Sequence, residues 1–217
     1  LHIVSNDGRY VTAADDDGDL LIWRVDDGSF VKKVVTTDRS LSDKTFTPDG
    51  AHLVFAEDKG KLKIVQVEKE GPVLELTGHK SRVVDIAFSG DGKRMLTIGG
   101  DGFSIVWSCE SFQPINSFQI ARRTVWGGDL DFKGKHATIT VDDGVVELWA
   151  VDTGVRRRSL NLRTGIYKNY DVRFSKGIIH LISTDGHIEE YDLRTIRDLH
   201  FNVRPNSYEG DQAFIDF

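Results

Sequence analysis

Any chemistry in this chain would have to come from seven histidines, one cysteine and a few dense charge runs. Metal centres need His, Cys or carboxylates at short, fixed spacings, and these histidines are scattered. Cys109 has no nucleophile signature around it and reads as an inert packing residue. The sequence contains no G-x-S-x-G elbow, P-loop or G-x-G-x-x-G phosphate loop. The run "DDDGD" at 15–19 invites a calcium reading, but a calcium-loop register through Gly18 puts Ala13 at the first ligand position and Arg24 at the last. It therefore reads as a turn. The segment "VRRRSLNLR" supplies Arg156, Arg157, Arg158 and Arg163. On a regular strand Arg156 and Arg158 share one face and Arg157 takes the other. Two readings stay open: a solvated outer edge that discourages edge pairing, or a site for an acidic peptide, a phosphate or an RNA backbone. The expectation is a chain with no catalytic residue, metal, cofactor or small-molecule substrate.

Composition narrows the class further. The 217 residues are 39% apolar and 29% charged, as in ordinary globular proteins, and the formal net charge is −6. A broad nucleic-acid binder should be basic, so nucleic acid is not the favoured partner. A single cysteine excludes an intrachain disulfide, and no N-x-S/T sequon occurs. Both suit a reducing compartment, and the expected location is intracellular, cytoplasmic or nuclear. No apolar run approaches the roughly 18 residues of a membrane span, and no signal peptide opens the chain. The chain starts at Leu1 and its only methionine is Met95, which suggests an excerpt. A membrane anchor outside this segment stays an open possibility.

The elements that would position any site come from a repeat. Gly18, Gly60, Gly102, Gly144 and Gly186 are each 42 residues apart. Gly8, Gly50, Gly92, Gly134 and Gly177 follow in steps of 42, 42, 42 and 43. Between the two series lie short β-rich segments such as "RYVTAA", "AHLVFA" and "KRMLTI". Glycine at a tight turn takes the positive φ that hairpins need, and a neighbouring Asp bonds to turn amides. Two such turns per period join three strands. A fourth follows, as in "SFVKKVV" and "PINSFQI". Each period is thus a four-stranded antiparallel meander, the size of a propeller blade. Six residues after the turn Asp a large side chain recurs: Asp17 leads to Trp23, Asp58 to Ile64, Asp101 to Trp107, Asp143 to Trp149 and Asp185 to Tyr191. These side chains are expected to pack between blades.

The segment "GHKSRVVDIAFSGDGKRMLTIGGDGFSIVWS" resembles a WD40 repeat, with Gly78-His79, Thr97, Asp101 and Trp107 matching the family pattern and Ser108 replacing the closing Asp. The same stretch is similar to transducin beta-like proteins. The resemblance implies a WD40-type β-propeller, and a hydrogen-bonded tetrad of His79, Thr97, Asp101 and Trp107. Only this third repeat carries the Gly-His pair, so the others are expected to lack the full tetrad and to rely on apolar packing.

The expected fold is all-β: one propeller domain over 1–217, with blades at about 1–40, 41–82, 83–124, 125–167 and 168–211. Residues 212–217, "AFIDF" with its preceding Gln, read as the first strand of a further blade, since Phe217 follows Phe174 by 43 residues. The chain is then part of a six- to eight-blade ring, with one or more blades before Leu1 or after Phe217. In such a fold the loops between second and third strands, and those leading into each first strand, share one face. The candidate contacts there are Lys80, Arg82, Arg122, Arg123, Trp126, Tyr167, Lys168 and Tyr170. Arg, Trp and Tyr are the types enriched at binding hot spots. Trp126 lies outside the regular Trp series and admits two readings, a partner contact or a filler beside the next blade. The expected function is a non-catalytic scaffold that docks protein or peptide partners, in a multiprotein complex. The alternatives are an accessory RNA-binding subunit of a nucleic-acid-processing complex and a regulatory propeller domain of a larger enzyme.

Overall fold

The computed structural model describes residues 2–37, 41, 43–120, 124–142, 145–161, 170–175, 177–183, 188–192 and 198–199. They form five antiparallel four-stranded sheets, each taking its strands in sequence order. The first sheet holds β1 (His2–Val4), β2 (Tyr10–Ala14), β3 (Leu20–Arg24) and β4 (Phe30–Val34). The second holds β5 (Asp43–Phe46), β6 (His52–Ala56), β7 (Leu62–Gln66) and β8 (Leu74–Leu76). The third holds β9 (Val83–Phe88), β10 (Arg94–Gly99), β11 (Phe103–Ser108) and β12 (Pro114–Gln119). The fourth holds β13 (Val125–Leu130), β14 (His136–Val141), β15 (Val145–Ala150) and β16 (Val155–Asn161). The fifth holds β17 (Tyr170–Ser175), β18 (Ile178–Ser183), β19 (Ile188–Asp192) and β20 (Asp198–Leu199). The fold is therefore all-β, built from propeller-type blades. No helix among the described residues is long and apolar enough to cross a membrane.

The turns have the geometry their glycines require. Gly92 sits at φ 68° in the first hairpin of the third sheet and Gly102 at φ 79° in the second, where an L-residue with a Cβ is disfavoured. Strands on both sides of these turns are buried on both faces, because each sheet is covered by its neighbours. Trp107, 2% exposed, shares an apolar cluster with Val54, Leu62, Ile64 and Leu76 of the preceding sheet. Trp149 packs the same way onto the third sheet, its ring stacked on Phe118 with centroids 4.7 Å apart. Half-buried Tyr191 packs against the cluster of Val146 and Leu148 with Val172 and Leu181. Burying one such large side chain stabilises by about 1.5–3 kcal/mol. In the first sheet, Val4, Val11, Trp23 and Phe30 form one cross-strand row, with Val4 54% and Phe30 58% exposed.

Two positions differ from the expectation. The partner of Trp107 across the hairpin is Met95, and the equivalent partner pair in the second sheet is Leu53 with Val65, not Ile64. Asp58 and Gly60 are separated by Lys59, in a short 3₁₀ turn with Lys59 at φ 61°, whereas Asp101 and Gly102 are adjacent. The two hairpins are equally long, and Lys59 stands where the third sheet has Asp101; a count from Asp58 therefore starts one residue early and lands on Ile64, which faces the third sheet instead. The arginine run is also displaced. Leu148 pairs with Arg158 and Trp149 with Arg156, leaving Arg157 as an extra residue in a bulge. Arg156 and Arg158 therefore lie on opposite faces. Similar register shifts fall beside Trp23 and Trp107.

The first strands β5, β9, β13 and β17 lie side by side in succession, and carboxylates bridge them. Asp43 accepts a hydrogen bond from the Ile86 amide of the next sheet. Asp85 Oδ2 accepts the Gly128 amide at 2.8 Å, and Asp129 Oδ2 accepts the Phe174 amide at 2.9 Å. The other oxygen of each takes the amide of the following residue, Lys44, Ile86 or Leu130. The donor is in each case one position past the residue equivalent to the Asp. Gly127 permits this approach, since a Cβ there would stand 2.8 Å from Asp85 Oδ2.

Burial, with the neighbouring Asp85 charge, pushes the Asp43 carboxyl up to about 6. Burial pushes Asp129 up to about 6 as well, against its two amide donors and Arg173. Both values lie above the usual carboxylate range of about 4, so the folded chain holds more protons than the unfolded one between pH 4 and 6. These groups contribute stability that is complete below about pH 4 and is lost as pH rises through about 6. The stability of the wild type relative to an Asp43→Asn, Asp129→Asn variant should rise as pH falls from about 7.5 to 5. Urea unfolding at the two pH values checks this, and parallel profiles would contradict it.

Candidate functional site

Thr97 on β10 organises the third sheet's polar core. Its Oγ1 lies 2.9 Å from Trp107 Nε1 on β11 and 2.8 Å from His79 Nε2. His79 Nδ1 lies 3.3 Å from Asp101 Oδ1. The proton order follows from chemistry. Indole N–H only donates and an ionised carboxylate only accepts. Trp107 therefore donates to Thr97, Thr97 donates to His79 Nε2, and His79 Nδ1–H donates to Asp101. This needs a neutral imidazole. Burial depresses the His79 pKa despite the nearby Asp101. Burial works to raise the Asp101 carboxyl, but the amides of Lys80 and Phe103 and the His79 ring together hold it below the ordinary value. Gly99 leaves room for the arrangement, because a Cβ there would collide with His79 and Asp101.

The neighbouring sheets do not fill the same place with apolar groups alone, contrary to the sequence expectation. In the second sheet Glu57, 1% exposed, stands at the position of Gly99. It accepts from Lys63 at 2.9 Å, from the Thr37 amide at 2.9 Å and from the Thr37 hydroxyl at 2.7 Å. In the fourth sheet Trp149 Nε1 donates to buried Glu147 at 3.1 Å, and Arg156 pairs with the same carboxylate at 2.6 Å. A buried charge must be paired to be tolerated, so Arg156 is a partner of Glu147 before it is part of any surface patch. Arg157 and Arg158 remain exposed.

The tetrad fixes the loop that leads into β9. Asp101 Oδ2 accepts the Lys80 amide at 2.6 Å, and the Arg82 carbonyl accepts the Gly100 amide at 2.8 Å. The Lys80 and Arg82 side chains are exposed, with no ion pair or side-chain hydrogen bond among the described residues. Beside them a groove of about 770 Å³ runs between the third and fourth sheets. Arg82, Gln119, Thr124 and Trp126 line it, over a floor of Val84, Ile120 and Val125. Trp126 is 51% exposed, so its indole faces solvent as well as the neighbouring sheet. Thr124 is held by Asp142, whose Oδ2 accepts its amide at 2.8 Å. Lys80, Arg82 and Trp126 are thus brought to one face. Arg122, Arg123, Tyr167 and Lys168 lie outside the described residues, as does Arg163. Tyr170 opens β17, with its backbone opposite Ser183.

A second groove of about 790 Å³ opens on the opposite face, among the first-hairpin turns of the second and third sheets. Its walls include Asp49, His52, Lys93, Cys109 and Phe112, with the His52 and Phe112 rings edge to face at 5.5 Å. Sequence reasoning passed over it. The positive φ of Phe112, 52°, has no sequence signal, because the usual occupant of that backbone region is glycine. Burial, reinforced by the charges of Asp49 and Asp91, pushes the Cys109 thiol up to about 12, which keeps it protonated and unreactive at neutral pH. The "DDDGD" run closes the β2–β3 turn. Asp15 Oδ1 accepts the amides of Asp17 and Asp19, and Lys33 pairs with Asp15 and Asp19.

The tetrad geometry predicts an unequal response to substitution at its centre. Thr97→Val keeps the shape but leaves Trp107 and His79 without a partner, and should cost about 1–3 kcal/mol. Thr97→Ser keeps the hydroxyl and should cost much less. Denaturant unfolding of both variants checks this, and equal losses would contradict it.

Comparison with known proteins agrees with this architecture. The family "WD domain, G-beta repeat" matches residues 70–108, the stretch that holds the tetrad. The chain is similar to Protein HIR1 of Mycosarcoma maydis, 27% identical over 154 residues, covering 70% of this chain and 13% of that protein. It is similar to the LST8 homolog of Drosophila melanogaster, 26% identical over 116 residues, 50% of this chain and 37% of that protein. It is also similar to the Xenopus laevis tRNA (guanine-N(7)-)-methyltransferase non-catalytic subunit wdr4, 27% identical over 189 residues, 84% of this chain and 48% of that protein. The chain thus spans less than half the length of each of these relatives. Five four-stranded blades and a repeat match that takes in the whole tetrad agree: residues 70–108 are a WD40 repeat, and the chain is built of WD40-type propeller blades.

Proposed function

We propose that this chain is a non-catalytic docking scaffold that binds protein partners, within a larger assembly, through the groove between its third and fourth blades. One observation carries the reading. A half-exposed tryptophan, Trp126, and an exposed arginine with no ion pair among the described residues, Arg82, flank one groove on a backbone already fixed by Asp101 and Asp142. Tryptophan and arginine are the side chains that most often dominate binding energy. A loop that is already ordered avoids the entropy cost of ordering on association. The Xenopus relative is named as a non-catalytic subunit, which supports the same role here. That relative also favours a second reading, an accessory subunit of an RNA-modifying enzyme, for which the exposed Arg157 and Arg158 are the available cations.

Affinity purification of the full-length protein from its native cells, with and without ribonuclease, tests both. Trp126→Ala, at an exposed site, should leave folding intact and release the bound partners, with a loss of at least about 2 kcal/mol if the tryptophan is a hot spot. Retention of every partner by the variant would remove this groove from the account. Partners released by ribonuclease instead would favour the RNA reading.

A further inference from the structure

We infer that the groove between the third and fourth blades selects an acidic segment of a partner protein, one that seats an aromatic or branched apolar side chain against Trp126. The inference rests on the reading of this groove as a docking surface, and it adds the chemistry of what docks. The charges around the groove are of two kinds. Its carboxylates are already occupied: Asp101 accepts from the amides of Lys80 and Phe103 and from the His79 ring, and Asp142 accepts from the Thr124 amide. A basic partner would find these oxygens committed to the backbone. The cations are uncommitted. The exposed side chains of Lys80 and Arg82 have no ion pair or side-chain hydrogen bond among the described residues.

The rest of the surface does not cancel this preference. The formal net charge is −6, but exposed charges farther away than a Debye length of about 8 Å are largely screened at physiological salt. At the groove itself Asp101 and Asp142 offset Arg82 and Lys80 in formal charge, so the preference for a carboxylate rests on the N–H donors that the two cations leave unused among the described residues, not on net local charge. The apolar half of the inference comes from the groove itself. Its floor of Val84, Ile120 and Val125 and the 51% exposed indole of Trp126 offer apolar surface. Its volume of about 770 Å³ lies within the usual range of about 300–1,000 Å³ for small-ligand pockets. That volume suits one or two anchoring side chains of an extended segment rather than a folded domain.

A displayed library of random dodecapeptides tests the inference, panned on the full-length protein and on its Trp126→Ala and Arg82→Glu forms. Circular dichroism first establishes that the exposed substitutions leave the fold intact. Peptides retained by the wild type and lost by Trp126→Ala should be rich in Asp and Glu and carry at least one aromatic or branched apolar residue. A selected peptide should lose about two- to fivefold in affinity for Arg82→Glu per exposed ion pair broken, and should weaken as salt rises. Panning on Arg82→Glu should shift the selected peptides toward Lys and Arg. If the wild-type and Arg82→Glu pools share one charge composition, the acidic preference is overturned while the docking surface stands. Acidic peptides without an apolar residue would overturn the anchoring role of Trp126. Identical pools from the wild type and Trp126→Ala would overturn the docking surface itself.

Discussion

Each sheet in this chain is apolar on faces that only another sheet can cover. A single four-stranded blade cannot bury Trp107 and Met95 on one side and Val106 and Leu96 on the other without two neighbours. Stacking is therefore the condition for each blade to hold its shape, and the loops inherit the rigidity. The segment from His79 to Arg82 is held at fixed points by Asp101 and Gly100, and Asp101 is in turn positioned by β10, which lies between two buried faces. The face that carries Lys80, Arg82 and Trp126 thus depends on the packing of the sheets beneath it.

Inside that apolar stack, the second, third and fourth blades solve the same polar problem with different residues. The third uses a neutral histidine, a hydroxyl and an indole around an ionised Asp101. The second inserts Glu57 where the third has Gly99, and neutralises it with Lys63 and Thr37. The fourth turns Trp149 onto Glu147 and closes the charge with Arg156. Partners left unmatched in such places would cost several kcal/mol, so a changed residue in one blade demands a changed neighbour. Between blades, Asp43, Asp85 and Asp129 join first strands through backbone amides, which ties the blades together where no side-chain code is needed.

This explains which features were legible in the sequence. The 42-residue period was legible because turns that require positive φ force glycine at fixed places. The tetrad positions were legible because a donor-only indole, a histidine and an Asp recur together in the family pattern. Val65 was not, because Lys59 stands where the third sheet has Asp101, and Asp58, one residue earlier, offers a false starting point for the count. The faces of Arg156 and Arg158 were hidden by a bulge at Arg157. The bridging role of Asp43, Asp85 and Asp129 was invisible because their partners are main-chain amides, which every residue except proline carries. Of the candidate contacts, the exposure of Trp126 could not be read from type alone, since an indole serves equally as filler and as anchor.

Site-specific photo-crosslinking in the native assembly tests the docking face most directly. A benzophenone side chain placed at position 126, beside the groove, is compared with one at position 132, where Phe132 is 65% exposed in the first-hairpin turn on the opposite face. The account predicts discrete partner crosslinks from position 126 and few from position 132. Partner crosslinks confined to position 132 would contradict it.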